Sequence, residues 1–331
     1  MSAETFAARD AAELAVVERG GFIESRHAGA AVVLSPDGEV TATFGPSDAV
    51  VLARSALKPL QAIGSVTAGA SLEGEQLALS TASHTGTDRH ATVVRDMLGS
   101  VGLSEDALGC PAQWPTDSAT RDAMVRDRFE PSRVRMDCSG KHAAMLIACV
   151  AAGWPTEGYL DAAHPLQVHT REIVERLAGE RVAATVIDGC GAPVHALTLS
   201  GLAKAIHRVG NSSERSPFAM HRVAGALVRA VREHPWAVEG PGRPDSIVVE
   251  QFGVYSKYGA EGVQTMVAPD GTTVALKVLD GSRRAGALVA LTLLARAGAL
   301  SAEAVEGFAR SQPLFEIRGG GVEVGRIRAS V

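Results

Sequence analysis

Strand-like and helix-like patterns alternate along this chain in a definite order. Near the start, Glu13–Glu18 and Ala30–Leu34 have the composition of strands, and Ser35-Pro36-Asp37-Gly38 is a turn leading into a third, Val40–Phe44. The apolar period then lengthens. It predicts a helix over Ala56–Thr67, opened by Ser55, and others near His90–Leu98, Lys141–Ala152, Leu166–Leu177, Ala196–Val209 and Phe218–Glu233. Ile247–Gln251 is a short apolar run that reads as a return to β structure. Val263–Val267, the turn Pro269-Asp270-Gly271 and Thr273–Val278 read as a hairpin. A helix over Arg283–Ala297 and a last strand over Val322–Ile327 complete the pattern.

Strands at both ends with helices between imply an α+β protein, its mixed or antiparallel sheet drawn from both termini around an inserted, mainly helical region. The expected division is a sheet domain from residues 1–54 and 241–331 and a helical domain from 55–240, with the active site at the junction. Glu239–Pro244, rich in Gly, Pro and Arg, is the expected boundary loop. A chain of 331 residues has ample length for a substantial core.

Composition removes several classes of function. With 46% hydrophobic and 21% charged residues the chain has the make-up of a soluble globular protein. A net charge of −5 argues against a nucleic-acid partner. The most apolar stretch, Gly286–Leu300, is interrupted by Arg296 and reads as a buried helix, so no membrane partner is expected. The first twenty residues contain Glu4, Arg9, Asp10 and Glu13 rather than a basic segment followed by an apolar one, so no secretory signal is read there. Four cysteines (Cys110, Cys138, Cys149 and Cys190) in such a chain suggest reduced thiols and a cytoplasmic location.

Of 32 basic residues only five are lysines: Lys58, Lys141, Lys204, Lys257 and Lys277. Arginine does most of the surface-charge work, so a retained lysine draws notice as a deprotonatable amine. Three of the five fall in motifs suited to chemistry. In Ser55-Ala56-Leu57-Lys58 the i, i+3 spacing places a hydroxyl and an amine on one helix face, where the amine can act as base; a capping serine beside a solvated lysine has the same spacing. Ala82-Ser83-His84-Thr85-Gly86 offers a second hydroxyl and an imidazole, or a plain turn. Cys138-Ser139-Gly140-Lys141-His142 and Asp188-Gly189-Cys190-Gly191 are two cysteine-bearing, glycine-containing loops. They suit either a soft metal site or two small buried thiols, with Asp188 accepting a substrate ammonium or capping a turn. Ser256-Lys257-Tyr258-Gly259 places a lysine just before the late hairpin, as a second base, a carboxylate anchor or half of an exposed Lys–Glu pair.

Taken in order, these motifs resemble the serine-type class 3 L-asparaginases (asparaginase II), which are similar in fold to penicillin-binding proteins and serine β-lactamases. The resemblance runs from Glu24-Ser25-Arg26-His27 through the motifs above and His164-Pro165-Leu166-Gln167 to Gly259-Ala260-Glu261-Gly262 and Val324-Gly325-Arg326-Ile327-Arg328. It implies two Ser–Lys pairs side by side, Ser55 with Lys58 and Ser83 with Lys257, Ser55 being the nucleophile and Lys58 its base. It implies Arg54, Asp188 and His142 as substrate contacts, and zinc held by Cys138, Lys141 and Cys190, assisting substrate binding more than the chemical step. One departure stands out: where members often carry an acidic residue soon after the Ser-His pair, Thr85-Gly86-Thr87-Asp88 follows here. The resemblance also implies a homodimer. The expectation is therefore hydrolysis of L-asparagine to L-aspartate and ammonia. Set against it are a glutaminase or β-lactam hydrolase of the same fold, a thiol amidase using Cys138 or Cys190, and a non-catalytic protein that binds metal or an amino acid.

Overall fold

A computed structural model describes residues 4–331. Eight strands form one antiparallel sheet: β1 (Ala12–Arg19), β2 (Phe22–Leu34), β3 (Val40–Phe44), β7 (Tyr255–Gly259), β8 (Val263–Val267), β9 (Thr273–Val278), β10 (Glu316–Gly319) and β11 (Val322–Ala329). Their order is β10-β11-β1-β2-β9-β8-β7, with β3 added to β2, so both ends of the chain do contribute to one sheet. Three further strands, β4 (Val50–Leu52), β5 (Ala184–Ile187) and β6 (Pro193–Thr198), make a small antiparallel sheet in the order β4-β6-β5.

The unbroken apolar run Ala30–Leu34 has a simple cause. Alternate residues of a strand face opposite sides. Here Ala30, Val32 and Leu34 enter the core shared with the helices of the middle region, while Ala31 and Val33 enter a second core under the helix Gly286–Arg296. The sheet is covered on both faces, and its central strand carries apolar residues on both.

Three local expectations differ from what forms. Ile247–Gln251 lies in a helix, Pro244–Phe252, rather than a strand. Proline fits its first turn and Gly253, at φ +63°, ends it; the apolar run between was too short to distinguish the two periods. Ala196–Val209 divides between β6 and the helix Leu199–Gly210. Thr198 makes the break: its hydroxyl accepts the Gly201 N–H at 2.8 Å, and the Glu180 carboxylate accepts its own N–H and hydroxyl at 2.7 and 2.8 Å. Ser55 sits in a 3₁₀ turn, Arg54–Leu57, that precedes the α-helix Lys58–Thr67, with Pro59 in that helix's first turn.

Two glycines permit the approaches that bring the motifs together. A Cβ on Gly259 of β7 would stand 2.6 Å from the Ala53 carbonyl oxygen, so only glycine lets this strand lie against the Arg54–Leu57 turn. A Cβ on Gly140 would stand 2.4 Å from the Leu79 carbonyl oxygen, where the helix Ser139–Ala152 begins against the chain leading to Ser83.

Candidate active site

Both outer strands of the small sheet run antiparallel to β6 and leave it at the same end. Arg54 follows β4 by two residues and Asp188 follows β5 directly, so the two side chains meet, with Arg54 Nε donating to Asp188 Oδ1 at 2.8 Å. The two residues expected to receive the substrate's carboxylate and ammonium are thus each other's partner. Arg54 has φ +49°, a left-handed conformation that a side chain resists, and it sits immediately before Ser55.

From the 3₁₀ turn the chain enters a helix whose first residue is Lys58, and this side chain points inward. Lys58 Nζ donates to the Ala82 carbonyl at 2.5 Å and to Ser83 Oγ at 2.9 Å. Ser83 meets a second amine: Lys257 Nζ, from β7, lies 3.0 Å from the same hydroxyl and donates to the Tyr258 carbonyl at 2.7 Å. One serine hydroxyl is therefore held between two lysines that are 174 and 25 residues away from it in the chain. Lys58, Ser83 and Lys257 are 1%, 3% and 0% exposed. The local pairing suggested by the Ser55–Lys58 spacing takes a different form. Lys58 is turned to Ser83, whereas the Ser55 hydroxyl has no hydrogen bond among the described residues and, in a residue 8% exposed, keeps an outlet to solvent.

The two amines differ in charge. Burial and the nearby Lys58 charge drive Lys257 down to about 7. Burial pushes Lys58 the same way, but the negative charge of the Cys138–Cys190 pair and the Asp137 carboxylate outweigh it and keep Lys58 above its ordinary value. At neutral pH Lys58 is an ammonium and Lys257 is close to half deprotonated.

Behind this cluster lies the expected thiol pocket. Lys141 Nζ donates to Cys190 Sγ at 3.1 Å, and all four cysteines are buried and unbridged. Cys138 and Cys190 share a proton: hydrogen bonding to Cys138, and then the Lys141 charge, holds Cys190 as thiolate, and that same contact with burial keeps Cys138 protonated. His142 lies fully buried beside Cys190. Its Nδ1 is 2.6 Å from the Tyr159 hydroxyl, its Nε2 has no hydrogen-bond partner, and burial keeps its pKa low. Among the described residues no group of three or more His, Cys, Asp and Glu side chains is placed to hold a metal ion. The donors at hand are two sulfurs and the Lys141 amine, a set that suits a borderline-soft ion such as zinc once Lys141 loses its proton.

The imidazole of the Ser-His motif is scaffold. His84 Nε2 meets Ser139 Oγ at 2.8 Å and its Nδ1 accepts the Gly86 N–H at 3.1 Å, so burial keeps it neutral while it ties the Ser83 loop to the start of the helix Ser139–Ala152. Sequence reasoning did not reach the far side of Lys257. Arg283 stacks 3.7 Å over the Tyr258 ring and donates to Glu239 at 2.9 Å, and Asp245 is buried behind β7. No spacing or motif marks these residues; lone Glu, Asp and Arg side chains in loops and helix first turns are ordinarily solvated.

A serine hydroxyl clamped between two buried amines, with a second serine and an Arg–Asp pair at the opening, is the equipment of a serine amidohydrolase. The family follows from comparison: residues 15–329 match the model described as L-asparaginase II, and the chain belongs to that family. No curated protein matches it by sequence. Among solved structures it is similar to Mglu in its native form, at 14% identity and a TM-score of 0.44, covering 82% of this chain and 65% of that one. It is similar also to a Bacillus glutaminase (13% identity, TM-score 0.45, covering 83% and 92%). A β-lactamase from Mycobacterium bovis stands at 16% identity and a TM-score of 0.41, covering 81% and 94%. This chain thus spans just under two thirds of the Mglu chain. With TM-scores below 0.5, these likenesses say nothing of its chemistry. No helix among the described residues is long and apolar enough to cross a membrane.

Proposed function

We propose that this protein hydrolyses the side-chain amide of L-asparagine, giving L-aspartate and ammonia. The observation that carries the reading is the Ser83 hydroxyl held at 2.9 and 3.0 Å between Lys58 and Lys257, with Lys58 three residues after Ser55 in the chain. A charged Lys58 cannot take a proton. Through Ser83, however, it can pass one to Lys257 in its neutral form: Ser83 gives its proton to Lys257 and receives one from Lys58. Lys58 is then an amine one helical turn from Ser55 and serves as its base.

Ser55 Oγ attacks the amide carbon as its proton goes to Lys58. The tetrahedral centre collapses with loss of ammonia, which carries that proton away, and leaves a β-aspartyl ester on Ser55. Water, deprotonated by the same amine, cleaves the ester and regenerates the serine. Arg54 and Asp188 exchange their mutual ion pair for the substrate's α-carboxylate and α-ammonium, replacing one pair of charge-assisted bonds by two. Cys138, Lys141 and Cys190 would hold zinc, which would place positive charge beside these substrate-binding groups. His142, behind Cys190, would then act on the substrate through that pocket. Two copies of the chain are expected to associate, and the assembly is read by sedimentation.

The test is ammonia release from asparagine, glutamine and a chromogenic β-lactam by the wild type and Ser55→Ala. Asparagine is expected to turn over best, and S55A to lose activity by a factor of about 10³ or more. Full activity in S55A would remove Ser55 as nucleophile; preferential turnover of another amide would move the substrate; tight asparagine binding without ammonia would make the protein a binder.

A further inference from the structure

Lys257 points from β7 toward Ser83, its ammonium 4.3 Å from the Tyr258 ring centroid, and the residues on either side of it, Ser256 and Tyr258, are tied down by the chain beside the strand. One carboxylate holds both. Asp245, fully buried at the start of the helix Pro244–Phe252, accepts the Ser256 hydroxyl at 2.7 Å on Oδ1 and the Tyr258 backbone N–H at 2.8 Å on Oδ2. Gln264 of β8 donates to Oδ1 as well, at 3.1 Å. Strand β7 is the last of its sheet, so its outer edge has no neighbouring strand. At the point where Lys257 projects, Asp245 supplies the acceptor that such a strand would have provided.

The same stretch of chain grips Ser83. The Asp245 N–H donates to Glu239 Oε2 at 3.1 Å. The Glu239 carbonyl accepts the Thr85 N–H at 2.7 Å, and the Val238 carbonyl accepts the Ser83 N–H at 3.0 Å. Glu239 also receives Arg283, whose guanidinium lies over the Tyr258 ring. Residues 238–245 therefore hold the hydroxyl by its backbone and the amine by its strand. Two buried carboxylates so close together are costly to a fold, and none of the proposed chemical steps uses either.

We propose that Asp245, braced by Glu239, is a positioning residue that sets the Lys257 amine against the Ser83 hydroxyl. The groups facing Lys257 are Lys58 from its helix, Ser83 from its loop, Asp245 and Glu239 from behind, and Tyr258 with Arg283 alongside. The two carboxylates favour the charged amine; Lys58 and Arg283 disfavour it. Removing the Asp245 charge therefore loosens the amine and lowers its pKa together.

The proposal rests on the amidohydrolase reading for its kinetic arm alone. In Asp245→Asn, kcat is expected to fall about 100-fold with KM within about threefold, and the low-pH limb of the rate profile to move to lower pH. Ser256→Ala keeps the charge, so it should lower kcat by about tenfold and leave that limb in place. The second arm needs no substrate. With lysine labelled in the side chain and only five lysines present, the Lys257 signal is assigned by its loss in Lys257→Met, and its titration midpoint is expected to fall in D245N but not in S256A. Should D245N fail to fold, Glu239→Gln carries the same two measurements with the same directions. A folded D245N with wild-type kcat, or a Lys257 midpoint that does not move, overturns the proposal. Absence of amidase activity in the wild type would sink the functional reading and leave the titration to decide the positioning role.

Discussion

Replacing Lys257 by methionine should abolish activity and make the protein more stable, by an amount that depends on pH. The pKa of Lys257 falls from 10.5 to about 7 on folding. At about 1.4 kcal/mol per pH unit, that gap is a folding cost of about 5 kcal/mol wherever the amine is charged in both states. The sign follows from proton counts. Below pH 7 folded and unfolded chains both hold the proton, and the full cost applies. Between about 7 and 10.5 only the unfolded chain holds it, so wild-type stability rises with pH and the cost fades. Methionine has nearly the shape of the lysine stem and carries no charge. It forfeits the bonds to Ser83 and the Tyr258 carbonyl, at about 1 kcal/mol each, so Lys257→Met should gain about 2–3 kcal/mol at pH 6. From pH 6 to pH 9 the difference between the two proteins should shrink by roughly 2–3 kcal/mol. Paired denaturant titrations of wild type and K257M across this range measure it, because every other group titrates in both. A constant difference would mean that Lys257 keeps its proton in the folded protein. A destabilised K257M at low pH would mean that its charge is well compensated. In either case the wild-type kcat/KM should not rise through pH 7 with a one-proton slope, as the relay requires.

Gly259→Ala forces a Cβ to 2.6 Å from the Ala53 carbonyl oxygen, so β7 and the Ser55 turn must separate; a loss of about 1–3 kcal/mol in denaturant titration is expected, with a larger proportional loss in kcat than in binding. Chelation of the purified protein, or Cys190→Ser, should remove zinc as measured by elemental analysis and raise the KM for asparagine by more than it lowers kcat; retained zinc in C190S would exclude the Cys138–Lys141–Cys190 pocket as its site.

Much of the local structure was legible because it depends on neighbours in sequence. The turn at Ser35-Pro36-Asp37-Gly38, the hairpin around Asp270-Gly271 and the strands at both ends appear where their patterns lie. Helix and strand were confused only where an apolar run was short, at Ile247–Gln251, or where a single capping residue, Thr198, divided one apolar stretch into two elements. The helices Gly74–Leu79, Ser118–Arg126 and Ala302–Ser311 escaped notice, the first for brevity and the second because its pattern is mostly polar.

The chain's own order of residues was enough to mark candidates for chemistry, since Ser–Lys spacing, glycine-flanked cysteines and rare lysines are local facts. Which of them touch was a different question. The i, i+3 spacing pointed Lys58 at Ser55, yet the 3₁₀ turn and the depth of the following helix aim it at Ser83, brought in by a separate loop. The neutralisation of Lys257 needs burial and a second amine nearby, and neither exists until β7 is packed against that loop. Asp245 and Glu239 had no signature at all, because an acidic residue becomes a structural clamp only when folding removes it from water and surrounds it with donors that have nowhere else to turn.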